Sequence, residues 1–385
     1  MIPYGRQHIS DEDIESVVRV LKSDFLTQGE AVPQFEKSVK EYTGSKYSVA
    51  VNSGTSALHI SCLALGVGRG DWVWTSPITF VASANCALYC GANIDFVDID
   101  SVTCNISVEL LRKKLIKSSK TNSLPKVLVT VHFSGLSCDM KEIYSLSKEY
   151  GFHVIEDACH ALGGKYLDKP IGSCEFSDIA VFSFHPVKSI TTGEGGMAVT
   201  NNEQLFDKMC LLRSHGITRD LNIMTESSHG PWYYEQIHLG YNYRMTDIQA
   251  ALGESQLNRL DEFIMRRHSL ANRYDEMLEG LPIRCPYRPS DSYSGMHLYV
   301  IRLDLKSMNK SHKDVFMQLR SLGISVNLHY IPVHTQPYYR ELGFKKGDYP
   351  AAETYSQEAI SLPMFPGLKE DEQDKVITAL KQSVL

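Results

Sequence analysis

Residues 182–196 read Phe-Ser-Phe-His-Pro-Val-Lys-Ser-Ile-Thr-Thr-Gly-Glu-Gly-Gly and place one lysine, Lys188, in a loop rich in Ser, Thr and Gly. The loop separates two segments with a strand-like pattern, 179–184 and 196–200. Low-dielectric walls and a neighbouring cation lower the pKa of a lysine, which makes its free amine available as a nucleophile. A single lysine is more often a solvated surface residue, so this interpretation depends on the motifs around it.

Strand and helix patterns alternate on the N-terminal side of this loop. Alternation of this kind predicts an α/β architecture with a largely parallel sheet. The predicted strands are 46–51, 72–76, 94–99, 126–132 and 153–155, and the predicted helices are 57–65, 80–89, 110–116 and 139–150.

The pattern changes in the last part of the chain. Residues 219–246 are rich in Ser, Tyr, Asn and Gly and predict a long functional loop. A helical pattern follows over 247–260, and the last third has fewer strands and more Pro, which predicts a smaller α+β domain. At the other end of the chain, Ser10 precedes three acidic residues and is predicted to cap a first helix.

Two further motifs could bind parts of a cofactor. Residues 52–56 (Asn-Ser-Gly-Thr-Ser) lie between a strand and a helix, where backbone N–H groups can bind phosphate. Asp157 ends an apolar strand, where ligands collect in open α/β sheets, and a buried carboxylate there needs a cation such as a protonated pyridine nitrogen. Local evidence leaves alternatives open: an ordinary capped turn, a helix-capping Asp157, and a half-buried structural His160.

Composition limits the partners and the location that we expect. The chain has 385 residues and a formal net charge of −6, which fits a globular protein of two domains. We find no basic run for nucleic acid, no signal peptide, and no apolar stretch near the ~20 residues that span a bilayer. The nine cysteines form no CxxC pair and no histidine spacing indicates a metal site. We expect a cytoplasmic protein without nucleic-acid, membrane or metal partners.

The order of the motifs is their most informative property: a phosphate turn, a strand-end Asp, then Ser183 five positions before Lys188. This order and the motifs themselves resemble the sugar-nucleotide aminotransferases of the DegT/DnrJ/EryC1/StrS family, which are fold-type I pyridoxal-phosphate (PLP) enzymes. The resemblance covers essentially the whole chain. It is carried by residues 2–4, 26–29, 35–36, 52–58, 77–85, 156–161, 182–196, 240–247, 329–332 and 361–363.

The resemblance implies a fold of the aspartate-aminotransferase type, with a large PLP-binding domain over 1–245 and a smaller C-terminal domain over 246–385. It implies a homodimer with shared active sites, in which Asn242 reaches the cofactor phosphate from the neighbouring subunit. Lys188 and Asp157 would be catalytic, as the lysine that binds the cofactor covalently and as the partner of its pyridine nitrogen. With His160, which could stack on the ring or hydrogen-bond near it, the expected cofactor contacts are Gly54, Thr55, Phe80, Asp157, His160, Ser183, Lys188 and Asn242.

The resemblance also implies amino transfer from L-glutamate to C4 of a UDP-4-keto-6-deoxy-N-acetylhexosamine. Several segments are most similar to the branch of the family that makes UDP-4-amino-4,6-dideoxy-N-acetyl-β-L-altrosamine for pseudaminic acid biosynthesis. The expected sugar-nucleotide contacts are Tyr4, Asp24, Phe25, Leu26, Thr27, Gly54, Ser183, Asn242, Asn327, Leu328, His329 and Tyr330.

Three alternatives stay open from the sequence. The first is the same chemistry on another sugar nucleotide, such as the perosamine precursor. The second is a PLP-dependent sugar dehydratase, but that activity in the family replaces the cofactor-binding lysine with histidine, and Lys188 argues against it. The third is an inactive binding protein that keeps the fold, which the intact set of Lys188, Asp157, Phe80 and Ser183 disfavours.

Overall fold

A computed structural model describes residues 1–121 and 123–385. Its strands are β1 (Ile2–Pro3), β2 (Tyr47–Val51), β3 (Trp72–Thr75), β4 (Asn93–Phe96), β5 (Val127–Val131), β6 (His153–Asp157), β7 (Lys165–Tyr166), β8 (Lys169–Pro170), β9 (Ile179–Ser183), β10 (Gly196–Thr200), β11 (Ile217–Thr218), β12 (Glu235–Gln236), β13 (Ile283–Arg284), β14 (Ser292–Tyr293), β15 (Tyr299–Leu303), β16 (Ile324–Ser325) and β17 (Ala359–Leu362). Its α-helices are α1 (Asp11–Leu21), α2 (Ala31–Thr43), α3 (Gly54–Ala64), α4 (Ala82–Tyr89), α5 (Val108–Ser118), α6 (Met140–Tyr150), α7 (Glu203–Arg213), α8 (Asp247–Leu257), α9 (Leu260–Met277), α10 (His312–Ser321), α11 (Pro337–Glu341), α12 (Pro350–Glu358) and α13 (Glu370–Val384).

A seven-stranded sheet with the order β2-β10-β9-β6-β5-β3-β4 forms the main scaffold. Six of its strands run in one direction, and only β10 runs antiparallel to its neighbours β2 and β9. Ser183 of β9 faces Gly196 of β10, so the loop 184–195 joins two adjacent strands of opposite direction. The prediction of an α/β fold with a mostly parallel sheet is confirmed.

Helices cover both faces of this sheet. Because parallel strands are buried on both faces, they read as continuous apolar runs, and every residue of β5 is buried. On one face α3, α4 and α7 pack in a single hydrophobic cluster with Val49 and Val51 of β2. Residues that point to the other face, such as Ala50 and Leu128, pack under α2 and α8 or under α5 and α6.

The first helix begins as the sequence predicts. The Ser10 hydroxyl accepts from the Asp13 amide, and the Asp13 carboxylate accepts from the Ser10 amide at 2.9 Å, which is a complete capping box. Asp13 also forms an ion pair with Arg259 at 2.5 Å. The cap therefore fastens α1 to the junction between α8 and α9.

The predicted helix over 247–260 is two helices in the structure. Helix α8 ends at Leu257, and α9 starts at Leu260 after Arg259, whose φ of −111° is not helical. Neither Gly nor Pro marks this break, so the apolar pattern continues across it. The predicted loop over 219–246 is confirmed as irregular apart from the two-residue strand β12.

The C-terminal part has its own small antiparallel sheet, β13-β15-β17. A separate hydrophobic cluster joins this sheet to α9, α10 and α13. Strand β1 pairs with β16, so the first residues of the chain lie on this part. The division into 1–245 and 246–385 stays a prediction. Of the helices in the described ranges, none is both long and apolar enough to cross a membrane.

Candidate active site

A cavity of about 560 Å³ opens at the carboxyl ends of the parallel strands. Its wall includes the last residues of β5, β6 and β9, at the edge of the sheet where ligands collect in this class of fold. The predicted site residues that line it are Tyr4, Gly54, Thr55, Phe80, Asp157, His160, Ser183, Lys188, Asn327, Leu328, His329 and Tyr330.

The turn after β2 forms one wall, and α3 begins inside it rather than at the predicted residue 57. The Ser53 hydroxyl accepts from the Ser56 amide at 3.1 Å and caps the helix. This leaves the Gly54 and Thr55 amides of the first turn, which have no partner within the helix, at the cavity wall. A Cβ on Gly54 would lie 2.9 Å from Cβ of Ser183, so only glycine fits there without movement.

Asp157, at the end of β6, lines the same cavity and is 7% exposed. Oδ2 accepts from the Ser83 hydroxyl at 2.5 Å, and Oδ1 accepts from the Cys159 amide at 3.2 Å. In the described part of the chain it forms no ion pair within 4.0 Å. A buried carboxylate without a cation from the protein is suited to a cationic ligand.

Lys188 extends from the loop between β9 and β10 and is half-buried in the cavity wall. Desolvation by the surrounding protein lowers the pKa of its ammonium group, although the nearby Cys159 and Asp157 act in the opposite direction. A larger fraction of the side chain is therefore a neutral amine at neutral pH than for a solvated lysine.

His160 is held in one tautomer by two contacts. Its Nδ1 accepts from the Ser134 amide at 3.3 Å, so Nε2 carries the proton and donates to the Tyr330 hydroxyl at 3.1 Å. Burial, with Lys188 and His329 nearby, lowers the pKa of His160 well below 6.5. His160 is thus a neutral hydrogen-bond donor inside the cavity rather than a cation.

The segment 327–330 forms the wall next to the N-terminus of the chain. The Asn327 side-chain amide donates to Nε2 of His329 at 3.3 Å, and Nδ1 of His329 donates to the Ser361 hydroxyl at 2.7 Å. Burial and the charge of Lys188 lower the pKa of His329 to about 4. The Tyr4 ring lies 5.2 Å from the His329 ring. Because His329 is neutral near pH 7, this wall is polar but uncharged.

Phe80 lies at the rim of the cavity. Its side chain is 59% exposed, and its nearest aromatic neighbour is Tyr330, with 6.4 Å between ring centroids. A phenylalanine with this exposure is not packed in the hydrophobic core. An aromatic face left open to a cavity is available to stack on a planar ligand.

Five predicted site residues do not line this cavity in the single chain: Asp24, Phe25, Leu26, Thr27 and Asn242. Asp24 and Phe25 border a separate open depression near Asp247. Asn242 lies beside β2, where its carbonyl accepts from the Asn52 side chain at 3.4 Å. The contact of Asn242 with a neighbouring subunit's cofactor stays a prediction.

Some lining residues were missed by sequence reasoning. Thr79 and His297 line the cavity, and Ser83 reaches Asp157 from the first turn of α4. Ser83 could have been found from its spacing, because a residue three positions after Phe80 lies on the same helical face. His297, whose ring is 4.4 Å from that of His160, lies far away in sequence and carried no such signal.

The family of the chain follows from comparison with known families. The model of the DegT/DnrJ/EryC1/StrS aminotransferase family matches residues 7–381. The chain belongs to this family. The resemblance read from the sequence and the prediction of an aminotransferase are thereby confirmed.

Individual members of the DegT/DnrJ/EryC1/StrS family agree with this assignment. A UDP-4-amino-4,6-dideoxy-N-acetyl-beta-L-altrosamine transaminase of Campylobacter jejuni is 40% identical over 343 residues, which cover 89% of this chain and 87% of that protein. The structure of Helicobacter pylori PseC, an aminotransferase of pseudaminic acid biosynthesis, is 31% identical with a TM-score of 0.91 over 100% of this chain and 99% of that one. A sugar aminotransferase from Streptococcus pneumoniae in its pyridoxamine-phosphate form is 29% identical with a TM-score of 0.90, also over 100% and 99%.

Proposed function

We propose that this aminotransferase uses PLP to transfer the amino group of L-glutamate to C4 of a UDP-4-keto-6-deoxy-N-acetylhexosamine, giving UDP-4-amino-4,6-dideoxy-N-acetyl-β-L-altrosamine. The observation that carries the proposal is the convergence of three groups on one cavity. These groups are the N-terminal turn of α3, the buried carboxylate of Asp157 and the amine of Lys188. Each is suited to a different part of the same cofactor.

The donor set around the cavity fits PLP. The Gly54 and Thr55 amides, with the Ser183 hydroxyl close by, would hold the phosphate at the positive end of α3. Asp157 would accept from the protonated ring nitrogen, and Phe80 would cover one face of the ring. When bound, PLP supplies an electron sink, which acidifies the C–H group of the carbon that carries the amine.

Lys188 would carry the proton in both halves of the reaction. Because desolvation lowers the pKa of its ammonium group, the neutral amine that must accept a proton is more available near neutral pH. His160 would stay neutral and donate a hydrogen bond, since its pKa is held well below 6.5. In this proposal Lys188 moves the protons, while Asp157 and the neutral His160 hold the reactants.

The sugar nucleotide would lie against the wall that Tyr4 and the segment 327–330 form together. This wall offers an amide, an imidazole and two phenols without a formal charge, which suits the hydroxyl, amide and keto groups of a sugar. The names of the relatives from Campylobacter jejuni and Helicobacter pylori point to the altrosamine derivative and to pseudaminic acid. Their similarity supports the choice of sugar, and the uncharged wall supports the choice of ligand class.

A homodimer would complete the site. The segment 219–242 carries apolar side chains that are largely exposed in the single chain, among them Leu221 (73%), Trp232 (71%) and Leu239 (79%). Phe25 and Leu26 are exposed as well. Large exposed apolar groups of this kind mark interaction surfaces. A second copy would cover them and bring Asn242 and the segment 24–27 to its partner's cavity.

A spectroscopic half-reaction tests the proposal. The PLP-loaded protein is mixed with 4-amino-sugar nucleotides one at a time, and the absorbance of bound PLP is followed as it converts to pyridoxamine phosphate. Conversion with the UDP-altrosamine derivative alone supports the whole proposal. Conversion only with another nucleotide sugar, such as GDP-perosamine, keeps the chemistry and discards the substrate. A PLP-loaded protein that converts with none of them contradicts the proposed reaction.

A further inference from the structure

Two buried hydroxyl groups form a chain that ends on Asp157. Oγ1 of Thr79 lies 2.6 Å from Oγ of Ser83, and Ser83 donates to Oδ2 of Asp157 at 2.5 Å. Since the Ser83 proton points to the carboxylate, Thr79 is the donor in the first of these two bonds. Both hydroxyl-bearing residues are buried, Thr79 at 2% and Ser83 at 0% exposure, so water does not compete for the same positions.

The Ser83 hydroxyl donates to the Asp157 carboxylate rather than to a backbone carbonyl of the preceding turn. A serine inside a helix usually bonds to a carbonyl of the preceding turn, as Ser61 does with the Ala57 carbonyl at 2.7 Å. The corresponding distance from Ser83 to the Phe80 carbonyl is 3.4 Å, much longer than its 2.5 Å bond to Asp157. The two helices therefore offer a matched pair of buried serines with different targets.

The orientation of the Asp157 carboxylate is fixed from both sides. Ser83 donates to one oxygen and the Cys159 amide to the other, so rotation about the last side-chain bond would break a hydrogen bond. Phe80 belongs to the same turn of chain as Thr79 and Ser83. One short segment thus presents an aromatic face to the cavity and orients the acceptor behind it.

We propose that Thr79 and Ser83 are positioning residues that hold the Asp157 carboxylate ready to accept from the protonated ring nitrogen of the cofactor. This inference rests on the proposed function, because it needs a pyridine-containing ligand in the cavity. A pre-oriented acceptor saves the cost of ordering the carboxylate when the ligand binds. Their contribution is therefore directed to the ring nitrogen and not to the phosphate.

The test measures binding of pyridoxamine 5′-phosphate to the apoprotein by titration calorimetry, which does not require turnover. We expect Ser83→Ala to raise the dissociation constant about tenfold, the size of one hydrogen bond to a charged group. Thr79→Val, which keeps the shape and removes only the outer hydroxyl, should raise it by a smaller factor of about three. The control Ser61→Ala removes an equally buried serine hydroxyl and should leave the constant unchanged.

A second ligand separates positioning from a general loss of structure. In the deaza analogue of pyridoxamine 5′-phosphate a carbon replaces the ring nitrogen, so the analogue cannot donate to Asp157. We expect Ser83→Ala to leave its dissociation constant within about twofold of the unmutated value. Equal weakening of both ligands, or unchanged binding of pyridoxamine phosphate, overturns the inference about Ser83 while leaving PLP binding intact. An unmutated apoprotein that binds neither ligand overturns the proposed function and this inference together.

Discussion

The inner and outer parts of the candidate site differ in how much of them one chain supplies. On the inner side Asp157, Ser83 and His160 are buried and bonded to neighbours in the same chain. On the outer side Leu221 and Leu239 on the segment 219–242 are 73% and 79% exposed. One chain supplies the inner part with its hydrogen bonds, whereas the outer part leaves large apolar side chains exposed in a single chain.

This difference separates two kinds of function. Groups that must hold one geometry through the reaction lie on the strand ends, where packing and hydrogen bonds fix them. Some of the residues expected to contact the sugar nucleotide, 24–27 and Asn242, lie instead on segments that a second subunit would cover. The inner part should therefore respond to substitution through chemistry and cofactor binding, and the outer part through assembly and substrate choice.

The largest effect is expected at the centre of the inner part. Lys188→Ala removes the group proposed to move the proton, and turnover should fall by ~10⁴-fold or more. Binding of pyridoxamine phosphate should persist, because its other contacts remain. Activity assays and titration calorimetry on the same preparation check both statements. Retention of full activity would remove Lys188 from the mechanism.

Asp157→Ala should have the next largest effect. Loss of the carboxylate that lines the cavity from the end of β6 should lower turnover by ~10²-fold and weaken cofactor binding, because the ring nitrogen would lose a charge-assisted hydrogen bond. Absorbance of bound PLP during dialysis measures retention of the cofactor. Unchanged retention and rate would place the partner of the ring nitrogen elsewhere.

Hybrid dimers test whether the outer part of each site takes Asn242 from the other subunit. Lys188→Ala and Asn242→Asp should each be inactive, the second because it brings a negative charge to the phosphate. If each site takes Asn242 from the other subunit, a mixed dimer has one intact site, and an equal mixture after subunit exchange should recover roughly a quarter of the normal activity. No recovery, with exchange verified by mass spectrometry of the dimer, would place Asn242 in its own subunit's site.

The smallest expected effect is on stability as a function of pH. The pKa of His329 is about 4 in the folded chain, so between pH 6.5 and 4 the unfolded chain binds a proton that the folded chain does not. The free energy of unfolding therefore decreases as pH falls through this range, by about 1.5 kcal/mol from pH 6.5 to 5 for this residue. Denaturant titrations of the apoprotein should show a shallower pH dependence in His329→Asn than in the unmutated chain, and an equal dependence in the two proteins would contradict this prediction.

Much of the fold was predictable, because the spacing of apolar residues within each strand or helix, and the order of these elements along the chain, can be read from the sequence. Apolar runs such as 127–131 show a buried strand, and the motifs at Gly54, Asp157 and Lys188 lie where the strand ends bring them together. The direction of β10 was not predictable, since an apolar run has the same appearance in parallel and antiparallel pairs. The break before Leu260 was missed for a similar reason, as no residue type marks it.

The parts of the site that sequence reasoning missed depend on contacts between distant elements. His297 lies beside His160 because the backbone of residues 295–297 donates hydrogen bonds to the carbonyls of Ser134 and Gly135, which are distant in sequence. Thr79 and Ser83 acquire a role only once Asp157 is folded next to them. The roles expected for residues 24–27 and 242 stay predictions, because their surroundings would depend on a second chain.

The reversed strand β10 sets the dimensions of the inner part. In the sheet order β2-β10-β9-β6, four groups lie at one edge of four successive strands. They are the turn at the end of β2, the two ends of the lysine loop at the start of β10 and the end of β9, and Asp157 at the end of β6. Adjacent strands are about 4.8 Å apart, so the backbone origins of these groups are spaced by the sheet itself, over about 14 Å from the first to the last. Because backbone hydrogen bonds set this spacing, a side-chain substitution does not change it. Directed evolution of this enzyme toward new sugars should therefore accumulate changes in the outer segments, while a ligand of different length in place of the cofactor would need a different order of strands.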